Sequence, residues 1–250
     1  MKIMIFAALD GEIKHITRQL GARKTDEMDG RKHFQAAFGG KKITVALTGM
    51  GVKNAGVRAG RMLRAQRPDL VLNVGFAGAL YPDARHGEIV CPEKALLYPG
   101  GETVDAGGAD YESLLEKTSK KVKAPARRGL AVTLSKWAQK PELKGFLSLS
   151  GLPPSGFPIC DMETFILAGA ALKQRAPFFG IRAISDTSGE EIGFDPFDIA
   201  DPEGQISTRR AALKFAAHPR LIPVAMRLRK SSEAASLSLA LALGALLESL

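Results

Sequence analysis

Cysteine and histidine are scarce in this sequence. Its 250 residues include two cysteines, Cys91 and Cys160, and four histidines. The cysteines have no CxxC spacing, so the sequence predicts neither a zinc site nor a disulfide framework. A chain of this length buries enough surface to fold without such cross-links, and we expect two reduced, mostly buried thiols and no metal or organic cofactor.

Long hydrophobic runs are also lacking. No uninterrupted apolar stretch reaches the ~20 residues that a helix needs to cross a bilayer. The apolar run that begins at Ile3 is short, and acidic residues follow it at once. This pattern favours a buried first strand over a signal peptide, and it predicts a cytoplasmic protein.

Acidic residues are absent between Gly204 and Ser232, where seven Lys and Arg residues occur within a net charge of +9. Such a patch could meet nucleic acid, an anionic membrane or an acidic partner. It lacks aromatic interleaving and any known nucleic-acid-binding motif, so no nucleic acid partner is expected. A segment rich in Leu and Ala follows from Ala234. A basic segment beside an apolar helix can lie on a membrane, or the helix can pack on the domain or across a subunit interface.

Short apolar runs alternate with helical patterns through most of the chain. Strands are expected near residues 3–8, 32–38, 43–48, 70–74, 87–91, 130–134, 157–160 and 178–184. Helices are expected after Asp10 as N-cap, over 53–66 and 162–173, and from about 203 to the C-terminus with a break near 218. Residues 99–155 are the least periodic. This order predicts one α/β domain over residues 1–250, with a basic helical tail at about 218–250.

Acidic residues follow three of the expected strands. Glu12 comes shortly after the first strand, Asp161 and Glu163 follow the strand at 157–160, and Asp186 follows the strand at 178–184. Ligands of α/β sheets bind at the carboxyl ends of strands, so we expect these side chains to share one pocket. The alternative for Asp161 and Asp186 is helix capping.

Two glycine-rich segments lie between expected elements. The backbone N–H groups of Gly49-Met50-Gly51 could hold an anion or a sugar hydroxyl, or the glycines could serve a turn with positive φ. Gly75-Phe76-Ala77-Gly78 is predicted to be a tight loop and has the same two interpretations.

Taken together, ordered segments of the chain resemble the purine nucleoside phosphorylase/nucleosidase family. These segments are MKIMIFAALDGEI, VALTGMGVKNAGVRAGRML, LVLNVGFAGAL and CDMETFILAGAALKQRAPFFGIRAISDTSGEE. In the last, Asp161-Met162-Glu163 and the Arg182-to-Asp186 motif stand about twenty residues apart, as in that family. The resemblance covers roughly residues 1–95 and 156–216, and it implies a three-layer α/β/α fold with a mixed central sheet.

The resemblance also implies roles for individual residues. Asp186 would face purine N7 and give a proton to the leaving base, Glu163 would bind ribose hydroxyls, and Glu12 would activate the attacking water. An acid and a base on opposite faces of the sugar suit inverting cleavage, in which the two sites handle opposite charges. The remaining substrate-binding residues implied are Met162, Phe76, Ala77, Gly78 and Ser185.

The choice between water and phosphate as nucleophile depends on two residues. Glu12 favours water, and Phe76 stands where many relatives have a small hydroxyl residue, which weakens phosphate use unless Phe76 belongs to the core. The sequence therefore predicts a nucleosidase that acts on a 5′-modified adenosine. The alternatives are a purine nucleoside phosphorylase, with inorganic phosphate as co-substrate, and a non-catalytic nucleotide or nucleic-acid binder.

The C-terminal tail resembles that of the hopanoid-associated phosphorylase-like subgroup. That resemblance implies a lipid-linked adenosine as substrate and peripheral contact with a membrane through the basic C-terminal region. The wider family resemblance implies a homo-oligomer.

Overall fold

A mixed β-sheet forms the centre of the protein. The computed structural model describes residues 1–28, 31–108, 110–123, 125–151 and 156–250. Ten strands pair in the order β10-β6-β8-β9-β5-β1-β4-β3-β2, with β7 beside β6. Because β10 also pairs with β5, strands β5, β10, β6, β8 and β9 close into a ring. The strands are β1 Lys2–Ala7, β2 Arg23–Met28, β3 Arg31–Phe38, β4 Lys41–Leu47, β5 Leu70–Ala79, β6 Ile89–Tyr98, β7 Thr103–Asp105, β8 Arg127–Leu134, β9 Phe157–Asp161 and β10 Phe178–Asp186.

Helices cover both faces of this sheet. They are α1 Asp10–Gln19, α2 Val52–Gln66, α3 Tyr111–Ser119, α4 Lys140–Leu149, α5 Thr164–Lys173, α6 Thr208–Ala217 and α7 Ile222–Ser249, with 3-10 turns at Pro196–Ile199 and Pro219–Leu221. Side chains alternate between the faces of a strand. Along β1, Ile3 and Ile5 join the core under α1 and α7, whereas Met4 and Phe6 join the core under α2 and α5. The predicted three-layer α/β/α fold is confirmed.

The predicted loop at residues 75–78 is wrong, because strand β5 continues through this segment to Ala79 and pairs with β10 and β9. Glycine is needed here for close approach rather than for a turn. A Cβ atom on Gly75 would lie 2.2 Å from a guanidinium nitrogen of Arg182, and one on Gly78 would lie 2.6 Å from a carboxylate oxygen of Asp186.

Helix starts differ from the prediction in two places. The N-cap of α1 is Leu9 rather than Asp10, and Glu12, the third residue of the helix, accepts the N–H of Leu9 as in a capping box, together with the N–H of Ala8. Helix α6 begins at Thr208 instead of near residue 203. Ser207 is its N-cap and accepts the N–H of Arg210. The irregular region at 99–155 contains two helices, α3 and α4, that the sequence did not predict; its positions 109, 124 and 152–155 lie outside the described residues.

Helix α7 has two different halves. In its C-terminal half Leu239, Leu243 and Leu246 are buried in the core that α1 and β10 share. Ile222 and Met226 in its N-terminal half are exposed. The prediction that the helix packs on the domain is therefore confirmed for its second half. Within the described part of the chain, no helix combines the length and apolar character required to span a lipid bilayer.

Candidate active site

One cavity of about 190 Å³ lies beside the carboxyl ends of β1, β5, β9 and β10. The carboxylates of Glu12, Glu163 and Asp186 all contribute to its lining, although they come from three distant segments. Each is almost fully shielded from solvent. Burial of several carboxylates around one small space costs free energy, and such an arrangement is typical of a catalytic or binding site.

Backbone amides hold the carboxylate of Glu12 in place. Its Oε2 accepts the N–H groups of Ala8 at 2.7 Å and Leu9 at 2.9 Å, and its Oε1 accepts the N–H of Phe76 at 2.9 Å. Burial raises the pKa of Glu12, while the charge of Arg182 and these amides oppose that increase. A carboxylate with a raised pKa is a better general base near neutral pH than an ordinary one. Because Oε1 accepts one N–H group, it keeps a lone pair for a bound water.

Arg182 is a buried cation that lies beside the carboxylates of Asp161 and Glu163. It lies within β10 and is completely buried. Its Nη2 is 2.7 Å from Oδ2 of Asp161, its Nε donates to Oγ1 of Thr164 at 3.2 Å, and its Nη1 is 3.8 Å from Oε2 of Glu163. No role was predicted for Arg182, although an arginine inside an apolar strand indicates a paired buried charge.

Asp161 has a structural role at the site, because its carboxylate is bound by other groups of the protein. Its Oδ1 accepts the hydroxyl of Thr133 at 2.7 Å, and its Oδ2 accepts the backbone N–H of Thr164 at 3.2 Å at the start of α5. With Arg182 as a third partner, the carboxylate is fully used. The capping interpretation therefore describes Asp161.

Glu163 connects the glycine turn to the cavity. Its Oε1 accepts the N–H of Gly51 at 2.9 Å. Burial is the main reason that its pKa is raised to about 8, and the negative charges of Asp161 and Glu12 add to the increase while Arg182 opposes it. Gly49 and Gly51 have φ values of 77° and 90°, so the positive-φ interpretation of this turn is confirmed.

The amides of that turn have protein partners. Gly49 donates to the carbonyl of Ala8, Met50 donates to the carbonyl of Gly204, and Gly51 donates to Glu163. All three N–H groups are therefore engaged. The alternative in which they hold an anion directly is wrong.

The raised pKa of Glu163 predicts how stability depends on pH. The folded state binds this proton more tightly than the unfolded state does, so folding loses stability as pH rises from about 4.5, the usual pKa of the group, towards about 8. The variant E163Q cannot ionise at this position. We expect the difference in unfolding free energy, E163Q minus wild type, to grow with pH across this window, with a limiting slope of about 1.4 kcal/mol per pH unit, and to level off above it.

Urea unfolding at pH values between about 5 and 9 measures this difference. The exposed Glu191 provides the control E191Q, for which we expect a difference from wild type that does not change with pH. A difference for E163Q that stays constant across the window would contradict a strongly raised pKa.

Asp186 ends strand β10 at the opposite side of the cavity. Its Oδ1 accepts the hydroxyl of Ser185 at 2.7 Å, and its Oδ2 lies 2.5 Å from Nζ of Lys140. The next helical turn begins only at Pro196, so Asp186 does not cap a helix. The capping interpretation is wrong for this residue.

Lys140 is a cavity residue that the sequence did not predict. It is the first residue of α4, its side chain is 9% exposed, and it lies within the segment that showed no clear periodicity. One lysine among many in that segment carries no local signal. Leu143 of the same helix is buried in a cluster with Tyr98 and Leu134, and this tertiary packing places the start of α4 at the cavity.

The other predicted substrate-binding residues also line the cavity: Met162, Phe76, Ala77, Gly78 and Ser185. Phe76 packs partly against the main core and also lines the cavity, and its amide donates to Glu12. Across the described residues, no group of three or more His, Cys, Asp or Glu side chains is arranged to hold a metal ion.

Comparison with known proteins places this geometry in a family context. The family model described as the phosphorylase superfamily matches residues 2–217 and leaves all of α7 outside. The chain is 25% identical over 217 residues to a 5′-methylthioadenosine/S-adenosylhomocysteine nucleosidase of Oceanobacillus iheyensis, covering 79% of this chain and 92% of that relative.

Two solved structures show the same fold over the whole chain. The 5′-methylthioadenosine/S-adenosylhomocysteine nucleosidase of Helicobacter pylori superposes with a TM-score of 0.75 at 17% identity, covering 100% of this chain and 99% of that one. The futalosine hydrolase of the same organism superposes with a TM-score of 0.73 at 18% identity, covering 100% and 98%.

Proposed function

This chain belongs to the phosphorylase superfamily, and from that premise we propose that it is a nucleosidase that hydrolyses the N-glycosidic bond of a 5′-modified adenosine. The relatives that support a purine nucleoside as substrate are nucleosidases of methylthioadenosine and adenosylhomocysteine. The observation that carries the proposal is the single cavity shared by the carboxylates of Glu12, Glu163 and Asp186. Its size suits a small molecule rather than a nucleic acid strand.

The sugar side of the cavity is suited to a developing positive charge. When an N-glycosidic bond breaks, the ribose becomes cationic and the base becomes anionic. In this proposal the Glu12 carboxylate takes a proton from water as the water oxygen attacks C1′, and Glu163 accepts hydrogen bonds from ribose hydroxyls. Burial strengthens both interactions, because charges attract more strongly where water is excluded.

On the base side of the cavity, Asp186 would donate a proton to N7 of the purine. Its carboxylate is fixed by Ser185 and Lys140, and the absence of a side chain on Gly78 lets it lie close against β5. A proton delivered at the base as the bond breaks is worth typically 10²–10⁴-fold in rate. Proton removal at one end and delivery at the other require no organic cofactor.

Water rather than phosphate is the proposed nucleophile. Phosphate binding needs basic or donor groups on the sugar side, where the described lining residues include Glu12, Ala8, Leu9 and Phe76, and Arg182 is already paired with carboxylates. An anionic phosphate beside Glu12 would meet like charge. We expect adenine release at the same rate with and without added phosphate, with free ribose-type sugar as the product.

The test incubates the purified protein with 5′-methylthioadenosine, adenosylhomocysteine, a 5′-alkyl adenosine and inosine, and follows free base. Adenine release that depends strictly on phosphate would instead identify a phosphorylase. If the protein binds these nucleosides but releases no base from any of them, the non-catalytic binder would be favoured.

A membrane contact is a second proposal, and it depends on the face formed by α6 and the N-terminal half of α7. Helix α6 has no buried residue, and Leu213 is 64% and Met226 is 69% exposed. Exposed cations accompany them, among them Arg220, Arg229 and Lys230. Apolar side chains surrounded by cations are typical of proteins that bind anionic bilayers.

Vesicle sedimentation tests this contact. We expect binding to phosphatidylglycerol vesicles but not to phosphatidylcholine vesicles, and weaker binding at high salt. Near an anionic surface each cation contributes about 1 kcal/mol, so R220Q/R229Q/K230Q should bind ~100-fold more weakly. The matched control is K53Q/R61Q/R64Q on α2, which should bind as wild type does. Absence of vesicle binding together with a concentration-dependent increase in mass would assign the face to the predicted homo-oligomer instead.

A further inference from the structure

A buried lysine faces the carboxylate that is proposed to protonate the base. Nζ of Lys140 lies 2.5 Å from Oδ2 of Asp186 and 3.3 Å from the backbone carbonyl oxygen of the same residue, and it also donates to the carbonyl of Thr187. Removing an ammonium group from water costs free energy unless partners replace the lost hydration. Three oxygens at the end of β10 are those partners.

Lys140 is placed where a proton donor for the base would be useful. Among the described residues that line the cavity, it is the one with a Lys, Arg or His side chain. A Cβ atom on Gly78 would lie 3.3 Å from Cε of Lys140 and 2.6 Å from Oδ2 of Asp186. The glycine therefore allows both groups to pack closely against β5 at this end of the cavity.

The geometry of the pair leaves Asp186 able to interact with a ligand. The ammonium is close enough to form an ion pair with Oδ2, yet this buried oxygen receives no donor in good hydrogen-bond geometry. One lone pair of Oδ2 is therefore available. In such an ion pair the mobile proton is on the lysine, so an aspartate paired in this way must receive a proton before it can give one.

The neighbouring thiol does not compete for this proton. Sγ of Cys160 lies beside the pair, near the same face of Gly78. Burial and then the charge of Asp186 raise the pKa of Cys160 to about 12. Cys160 is thus a neutral thiol at physiological pH, and the proton is transferred between Lys140 and Asp186.

We propose that Lys140 is the source of the proton that reaches the purine, with Asp186 as the relay. The inference rests on the proposed nucleosidase function. As the bond between C1′ and N9 breaks, its electron pair goes to the purine. Nζ of Lys140 gives a proton to Oδ2 of Asp186, which passes a proton on to N7 and returns to the carboxylate form. The water oxygen bonds to C1′ and its proton goes to Glu12. Lys140 is left as a neutral amine, which solvent protonates again after the base has gone.

The test compares two substrates that differ only in whether the leaving group needs a proton. One is 5′-methylthioadenosine, and the other is the 4-nitrophenyl riboside with the same 5′ group, whose leaving group departs as a stable anion. For K140M we expect kcat with the purine substrate to fall about 10²–10⁴-fold and kcat with the nitrophenyl substrate to stay at the wild-type value. Lys144 is exposed on the same helix, and K144M is the matched control.

A third variant separates proton supply from charge. An arginine keeps the positive charge beside Asp186 but does not give up its proton. We therefore expect K140R to remain as slow as K140M with the purine substrate. Thermal unfolding checks that each variant is folded, and K140Q replaces K140M in the comparison if the latter does not fold.

Three results would overturn the inference while leaving the proposed function intact: wild-type purine cleavage by K140M, full recovery in K140R, or equal losses on both substrates. Equal losses would mean that Lys140 only maintains the shape of the cavity. Failure of the wild-type protein to release any base would overturn the proposed function, and this inference with it.

Discussion

Replacement of Glu12 by Gln is expected to lower kcat for base release by about 10²–10⁴-fold, which is the usual contribution of a positioned general base. The amide fills the same volume as the carboxylate, but it cannot take a proton from water. With its carbonyl oxygen in place of Oε2, Gln would still accept the N–H groups of Ala8 and Leu9, whereas its NH2 group would face the N–H of Phe76, so thermal unfolding is measured alongside to check that the variant is folded. Steady-state assays of adenine release measure the loss.

The pattern across substrates makes this prediction specific. Because Glu12 is proposed to act on the water, E12Q should slow the purine substrate and the 4-nitrophenyl riboside alike. Asp10 is exposed in the first turn of the same helix, and D10N should leave kcat unchanged. If E12Q released base at the wild-type rate, Glu12 would not be the base, and its amide contacts would have only a structural purpose.

Replacement of Asp186 by Asn is expected to lower kcat for purine release by a similar factor, but for the opposite reason. Asn has nearly the same shape and keeps an oxygen for the hydroxyl of Ser185 or for Lys140. It cannot relay a proton to N7. The departing purine must then leave as an anion, which raises the barrier for this substrate alone.

The control measurement uses the leaving group that needs no proton. D186N should cleave the 4-nitrophenyl riboside as fast as the wild type does, and the exposed E191Q variant should match the wild type on both substrates. Equal slowing of both substrates by D186N would show that Asp186 holds the sugar instead of serving the base. Together, E12Q and D186N separate the two ends of the reaction.

The α/β fold could be predicted because its signals are local. The apolar run at β1 and the helical spacing of Ile13 and Ile16 after it depend only on neighbours in the sequence, and both elements are present in the structure. Helices α3 and α4 escaped prediction because each has nine or ten residues and few buried positions, so little periodicity is visible.

The glycines of β5 show where local reasoning fails. Gly75 and Gly78 look like turn residues in the sequence, yet the strand continues through both. Their small size is required by side chains that arrive from elsewhere, Arg182 from β10 and Asp186 from its end. A sequence pattern cannot distinguish a glycine that bends the chain from one that makes room for a distant group.

By itself the sequence determined the α/β class and the position of acidic residues beyond three strands, because hydrophobic periodicity and residue order are local properties of the chain. Only the tertiary structure decided what each carboxylate contacts. Asp161 forms an ion pair with Arg182, whereas Asp186 contacts Lys140, which is 46 residues away in the sequence. The physical reason is that charge pairing and burial depend on distances through space, and strand register and helix packing set those distances only when the whole chain has folded.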